Sequence, residues 1–195
     1  EVTKYVVLTV DGKKTTFVDD AYIPDSYILD PSLVVSLPRL HTIASRLDAL
    51  CQSFESVWSK NATQESLGYA TSAIELIRQN LGKCVDDPED TKARANMLLA
   101  ANLSGRAINI TKTNVCHAIS YPLTDLYQIP HGIACAMTLP YFAKLYTGID
   151  MLPFIKSFNL EPRFFDKLKV TQIAIKSEKL KDCPQEVTPE DILTA

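Results

Sequence analysis

The spacing of apolar positions changes once along the chain. In residues 1–31 it is short and β-like: Lys4-Tyr5-Val6-Val7-Leu8-Thr9-Val10 and Thr15-Thr16-Phe17-Val18 flank Asp11-Gly12. Two β-rich runs around Asp-Gly predict a hairpin, with Lys13 and Lys14 at its turn. A third short strand is expected at Tyr27-Ile28-Leu29, ended by Asp30-Pro31 because proline brings no N–H to a ladder. From Leu37 the period becomes helical. Leu40, Ile43, Ala44, Leu47, Leu50, Cys51, Phe54, Val57 and Trp58 recur three or four apart, one wide apolar face, with Pro38 suited to the first turn. A second helix is expected from about Thr63 to Leu81, with Gly82 as a left-handed cap. A third, from about Pro88 to Ile108, carries small residues in its second half and is expected in the middle of a bundle. A fourth covers Val115–Leu126, broken or kinked near Pro122, and a fifth starts at about Pro130 and passes through Phe142. After Gly148 the pattern is amphipathic but irregular. The expected fold is mainly α: a β segment over residues 1–36 followed by a helical domain over 37–195.

Composition narrows the function classes. The 195 residues carry 20 basic and 23 acidic side chains, a formal net charge of −3. With no basic block, there is no electrostatic reason to expect nucleic acid or an anionic membrane surface as a partner. No apolar run nears the roughly 18 residues of a membrane span, and nothing reads as a signal peptide. Five cysteines without a CxxC pair fit reduced thiols in a cytoplasmic protein better than a disulfide framework. The chain opens on Glu1-Val2-Thr3 without an initiator Met, which suggests a fragment.

Few residues could carry chemistry. Of three histidines, His117 and His131 lie 14 apart and flank an expected turn, so their rings could converge from two helix ends. Taken alone they read first as satisfied interior histidines, since the HxxxH spacing of a zinc helix is missing. Asp48 and Gln52 shift that balance. Four apart, they project from one face of an otherwise apolar helix, and a carboxylate there needs a partner. That partner is an arginine, Arg46 or Arg94, a cap elsewhere, or a divalent cation. A cation held by the Asp48 carboxylate, the Gln52 carbonyl and two neutral imidazoles would suit Fe²⁺ or Zn²⁺. The polar run Asn109–Asn114 reads as a solvated loop, or as an anion contact through Lys112 and its hydroxyls. Tyr121 is either core or a proton donor. His41 reads as structural, Glu55 as an ion-pair or packing residue, and Cys116 is discounted as a nucleophile because no oxyanion apparatus accompanies it.

These residues, in this order, resemble the iron-containing alcohol dehydrogenase family. The matching stretches are Ile28-Leu29-Asp30-Pro31, Leu47 to Glu55, Ala93-Arg94-Ala95-Asn96-Met97, Ala101-Asn102-Leu103-Ser104-Gly105, His117-Ala118 and Ile129-Pro130-His131-Gly132. The resemblance runs to about Tyr146, and more loosely to Ala195. It implies the C-terminal helical-bundle domain of a two-domain fold, with residues 1–36 as the tail of a dinucleotide-binding domain. It implies a divalent metal, Fe²⁺ or Zn²⁺, held by Asp48, Gln52, His117 and His131, with Gln52 where most members have histidine. It implies NAD(P)H as hydride donor, Tyr121 in place of a proton-relaying histidine, and a soluble homodimer. Within the family, Asp48-Ala49-Leu50-Cys51-Gln52 and Gly105 to Thr113 are similar to phosphonoacetaldehyde reductases, which makes Lys112 and Thr113 candidate phosphonate contacts. With only 6 glycines and no GxGxxG-like run, the chain shows no dinucleotide phosphate turn. The competing readings are a non-catalytic helical metal-binding or oligomerisation fragment and a dehydroquinate-synthase-like lyase.

Overall fold

The computed structural model describes residues 2–10, 13–161 and 163–195. Two strands, β1 (Tyr5–Val10) and β2 (Lys13–Val18), pair antiparallel with Tyr5 opposite Val18 and Val10 opposite Lys13. The expected Asp11-Gly12 turn lies outside the described residues. Five long helices follow: α1 (Arg39–Trp58), α2 (Gln64–Asp86), α3 (Thr91–Thr111), α4 (Val115–Tyr127) and α5 (His131–Thr147). The short helices α6 (Leu152–Lys156), α7 (Lys167–Ala174) and α8 (Pro189–Thr194) close the chain. Among the described residues no helix is long and apolar enough to cross a membrane. All five cysteines are buried and unbridged.

Three expectations need correction. Tyr27-Ile28-Leu29 is not a strand: the segment is unpaired, Ile28 is 92% exposed, and Asp30 caps a single 3₁₀ turn at Pro31–Val34. Pro24 and Pro31 bracket it, so two ladder donors are missing. Gly82 does not end α2, which continues to Asp86 without a left-handed residue at Gly82. The extra turn buries Cys84, which outweighs the roughly 1 kcal/mol helix penalty of one glycine. Of the break or kink expected near Pro122 the break does not occur: α4 runs through it with Ile119, Pro122 and Leu123 buried. The lost hydrogen bond is offset by packing on both sides.

Helix α1 is the central element and packs on α2, α3, α4 and α5. Ile43, Leu47, Leu50, Cys51 and Phe54 on it are essentially inaccessible, as the periodicity predicts. Side-chain oxygens set the helix starts: Thr63 and Ser66 form a capping box on α2, Asp90 caps α3, and Asn114 caps α4. The small residues of α3 let its neighbours approach closely. A Cβ on Gly105 would stand 2.8 Å from Val2 Cγ2, and Asn109 Oδ1 accepts the Lys4 N–H at 2.9 Å, which ties the hairpin to the bundle. The α1–α5 seam is tighter still. A Cβ on Gly132 would lie 1.8 Å from the Ala44 carbonyl oxygen and 3.0 Å from Asp48 Cβ.

That seam generates a prediction with two signs. Gly132→Ala collides with backbone, which cannot rotate away, and is expected to cost more than about 3 kcal/mol. Gly82→Ala meets nothing within 4 Å in mid-helix and is expected to stabilise by about 0.5–1 kcal/mol. Urea unfolding of both variants checks this; a Gly132→Ala protein as stable as the parent would show that the helices are not in contact there.

Candidate metal centre

Three polar side chains leave α1 along one face: Asp48, Gln52 one turn later, and Glu55 two turns later. Glu55 is wholly buried. Its Oε1 accepts the backbone N–H of His117 at 3.1 Å, and its Oε2 sits 2.6 Å from His117 Nδ1. A carboxylate there assigns the ring proton to Nδ1 and turns the Nε2 lone pair toward Asp48 Oδ1, 3.1 Å away. Two acceptors at that distance require a proton or a metal ion between them. Asn114 sets the start of α4 in this position: its Oδ1 accepts from Trp58 Nε1 and Val115 N, and its Nδ2 donates to the Glu55 carbonyl.

From the other side, His131 opens α5 and brings its Nε2 to 3.6 Å from the same Asp48 oxygen, while Nδ1 lies 3.3 Å from Ser120 Oγ. Its ring meets that of His117 edge-on at 5.4 Å. One turn along α5, the fully buried Cys135 thiol stands 3.9 Å from Asp48 Oδ1 and 3.8 Å from His131 Nε2. One donor atom each from Asp48, His117, His131 and Cys135 thus falls within a 4.8 Å sphere of mutual separation. Gln52 donates its amide nitrogen to Asp48 Oδ2 at 3.1 Å, and its carbonyl lies 2.9 Å from Ser104 Oγ.

The electrostatics favour positive charge at this point. Burial disfavours the imidazolium of His117, yet Cys135, Glu55 and Asp48 around it raise its pKa well above the ordinary histidine range. His131 is raised in the same way, burial being outweighed by Cys135 and Asp48. Burial pushes the Asp48 carboxyl and the Cys135 thiol up, but the two imidazoles bring both below their ordinary values. Cys116 is different: burial and Glu55 push its thiol well up, so it is inert packing beside His117. Of the two arginines named as alternative partners of Asp48, Arg94 instead donates to Thr42 Oγ1 and the Pro88 carbonyl.

The cluster opens on a cavity of about 450 Å³ between α1, α3, α4 and the hairpin, whose wall carries His117, His131 and Tyr121 together with Lys112, Thr113 and Lys179 and the acidic Glu178 and Asp182. Tyr121 stacks on His131 at 6.0 Å. Lys179 Nζ donates to Thr113 Oγ1 at 2.7 Å and lies 5.3 Å from the Tyr121 ring centre. A larger shallow groove of about 650 Å³ beside α2 is lined by Phe54, Ile74, Arg78 and Phe154 among others and contains no histidine or thiol. The run Asn109–Asn114 is not a solvated loop: Asn109 to Thr111 finish α3, Lys112 turns the chain with φ +63°, and Asn114 is buried. Sequence reasoning missed Cys135, Lys179 and the grip of Glu55 on His117. The first repeats the Asp48/Gln52 spacing after His131 and Glu55 lies seven after Asp48, so both were findable; Lys179 reaches the site only through the tertiary fold.

Comparison with known proteins agrees with this geometry. Residues 42–183 match the profile of the Fe-containing alcohol dehydrogenase family, C-terminal part. The chain belongs to that family. It is 44% identical over 116 residues to a phosphonoacetaldehyde reductase of Streptomyces viridochromogenes, covering 60% of this chain and 29% of that protein. It is 38% identical over 146 residues to a 1,3-propanediol dehydrogenase of Citrobacter freundii, covering 74% of this chain and 38% of that one. Among solved structures, sulfoacetaldehyde reductase of Bifidobacterium kashiwanohense in complex with NAD⁺ superposes on all of the chain with a TM-score of 0.88 and 30% identity, over 60% of its own length. An iron-containing alcohol dehydrogenase of Thermotoga maritima superposes on 98% with a TM-score of 0.86 at 28% identity. The chain therefore spans 29% and 38% of those two curated relatives.

Removing the Glu55 carboxylate strands a buried N–H and a buried imidazole. Glu55→Ala is expected to destabilise the fold by about 2–4 kcal/mol in chelator-treated protein, and Glu55→Gln by less, because one acceptor remains. Denaturant unfolding of both checks it; equal stability of Glu55→Ala and parent would mean that the pair contributes nothing.

Proposed function

We propose that the protein carrying this chain is a metal-dependent, NAD(P)H-linked reductase of small aldehydes that bear an anionic group, phosphonoacetaldehyde being the first candidate. Residues 37–195 supply the metal and substrate side, and residues 1–36 are the end of the dinucleotide-binding domain. The observation that carries the reading is the convergence of Asp48, His117 and His131 beside a cavity that His117 and His131 line together with Lys112 and Lys179. The names of two relatives support the choice of substrate, since phosphonoacetaldehyde and sulfoacetaldehyde are both two-carbon aldehydes with an anionic head.

The residues fit a divalent cation. Three donors of mixed oxygen and nitrogen character face one point, and the charge balance around them calls for a cation. When bound, such an ion supplies Lewis acidity at the aldehyde oxygen, and NAD(P)H supplies the hydride to the carbonyl carbon. Glu55 holds His117 in the tautomer that presents Nε2. Gln52 braces Asp48 through Oδ2. Lys112, Lys179 and Thr113 take the anionic head, two ammonium groups and a hydroxyl that suit a phosphonate or sulfonate, with Glu178 and Asp182 on the same wall. With the head anchored there, the carbonyl end of a two-carbon substrate is directed toward the histidines. Tyr121 Oη delivers the proton to the carbonyl oxygen as hydride arrives.

Two experiments on the full-length protein test the reading. His131→Ala is expected to lose bound metal and reductase activity together; full activity without metal would sink the mechanism. Lys179→Ala is expected to raise KM for phosphonoacetaldehyde about 10- to 100-fold, the loss of a charged hydrogen bond, while leaving propanal reduction unchanged. An equal loss on both aldehydes would remove the anionic-substrate reading.

A further inference from the structure

The fourth side chain in the cluster has no part in the mechanism above. Cys135 follows His131 by one helical turn, so its thiol and that imidazole share a face of α5, and the Gly132–Ala44 contact presses that face onto Asp48. The separations resemble the edges of a coordination shell. Ligands at about 2.0–2.1 Å for N or O and about 2.3 Å for S, arranged tetrahedrally, stand about 3.4 Å apart for N/O pairs and about 3.6 Å for pairs with sulfur. Here Asp48 Oδ1 is 3.1 Å from His117 Nε2 and 3.6 Å from His131 Nε2, and Cys135 Sγ is 3.9 Å and 3.8 Å from Asp48 Oδ1 and His131 Nε2. Three of these meet at Oδ1. Gln52 is on the other oxygen, Oδ2, and turning its amide over would still leave it facing Oδ2. The thiol is fully buried beneath the imidazoles, while the His131 side chain is 37% exposed toward the cavity. Sulfur therefore fills the inner corner of the site and leaves the cavity side open.

We propose that Cys135 is a fourth ligand of the cation held by Asp48, His117 and His131, with Gln52 outside the coordination sphere. Binding displaces the thiol proton to solvent and forms a metal–sulfur bond, with no change in oxidation state. A sulfur donor makes the site softer than an all-oxygen-and-nitrogen shell and favours Zn²⁺ over the hard Mg²⁺ or Mn²⁺. The side of the site toward the cavity, where His131 is partly exposed, is where a substrate would approach. This inference rests on the metal reading proposed above and adds the identity of one ligand.

The test uses full-length protein, stripped of metal and reloaded anaerobically with Co²⁺. The expected result is one Co²⁺ per chain with a near-ultraviolet sulfur-to-cobalt charge-transfer band. The band should vanish in Cys135→Ser at unchanged cobalt stoichiometry and persist in Gln52→Ala and in Cys116→Ser. One bound cobalt without the band, or a band that survives Cys135→Ser, overturns the assignment while leaving the metal site standing. Failure of the folded parent protein to bind cobalt or zinc at all overturns the metal reading itself. Should Cys135→Ser not fold, X-ray absorption of the unaltered zinc-loaded protein decides. One sulfur scatterer at about 2.3 Å supports the ligand, and a shell of nitrogen and oxygen alone overturns it.

Discussion

A carboxylate with no exposure to water, Glu55, governs the arrangement of this domain. A charge in that position is tolerated only when its lone pairs are taken up, and the first turn of α4 does this with a backbone N–H and an imidazole. Asn114 reinforces the join by reaching back to the Glu55 carbonyl and to Trp58. The consequence runs outward from one pair. Helix α4 is locked in position along α1, His117 is locked in rotation and tautomer, and its free nitrogen has one direction left, toward Asp48.

The same logic explains why the centre calls for positive charge. Asp48, Glu55 and Cys135 lie around two imidazoles inside a few ångströms; the imidazoles are displaced toward holding their protons, and the Asp48 carboxyl and Cys135 thiol toward releasing theirs, so anionic donors and positive charge are drawn together there. A polar nucleus of this kind is stabilising where its members are paired, as Glu55 and His117 are. The oxygen, nitrogen and sulfur atoms are pre-positioned by helices rather than loops, which keeps their spacing narrow.

Much of this was legible in the sequence because it is local. The three- and four-residue spacing from Leu40 to Trp58 marks the buried face of α1, and Asp48 interrupting that face marks a group in need of a partner. His117 and His131 do converge, but not across one turn: most of α4 lies between them, and they meet because α5, which His131 opens, packs back on α4. Other features depended on packing that no local pattern encodes. Tyr27 to Leu29 has strand composition, but whether it pairs depends on an available sheet edge. Gly82 carries a stop signal that burial of Cys84 overrides. Asn109–Asn114 is polar in composition, and only the meeting of α1 with α4 makes Asn114 an interior residue. Lys179 is separated from Thr113 by 66 residues and reaches it through an irregular tail.

The Gly132 seam ties two properties that proteins ordinarily vary independently. On most scaffolds a binding constellation can drift while the core stays fixed, because the ligating side chains stand some distance from the helix contacts. Here the residue that limits how near α5 comes to α1 adjoins His131 and would, with a single added carbon, strike the turn that holds Asp48. Any change that spreads the two helices also stretches the gap between their donor atoms. The centre can therefore be altered by side-chain exchange at fixed backbone spacing, as at Gln52, whereas moving the helices apart alters the donor spacing and the core together.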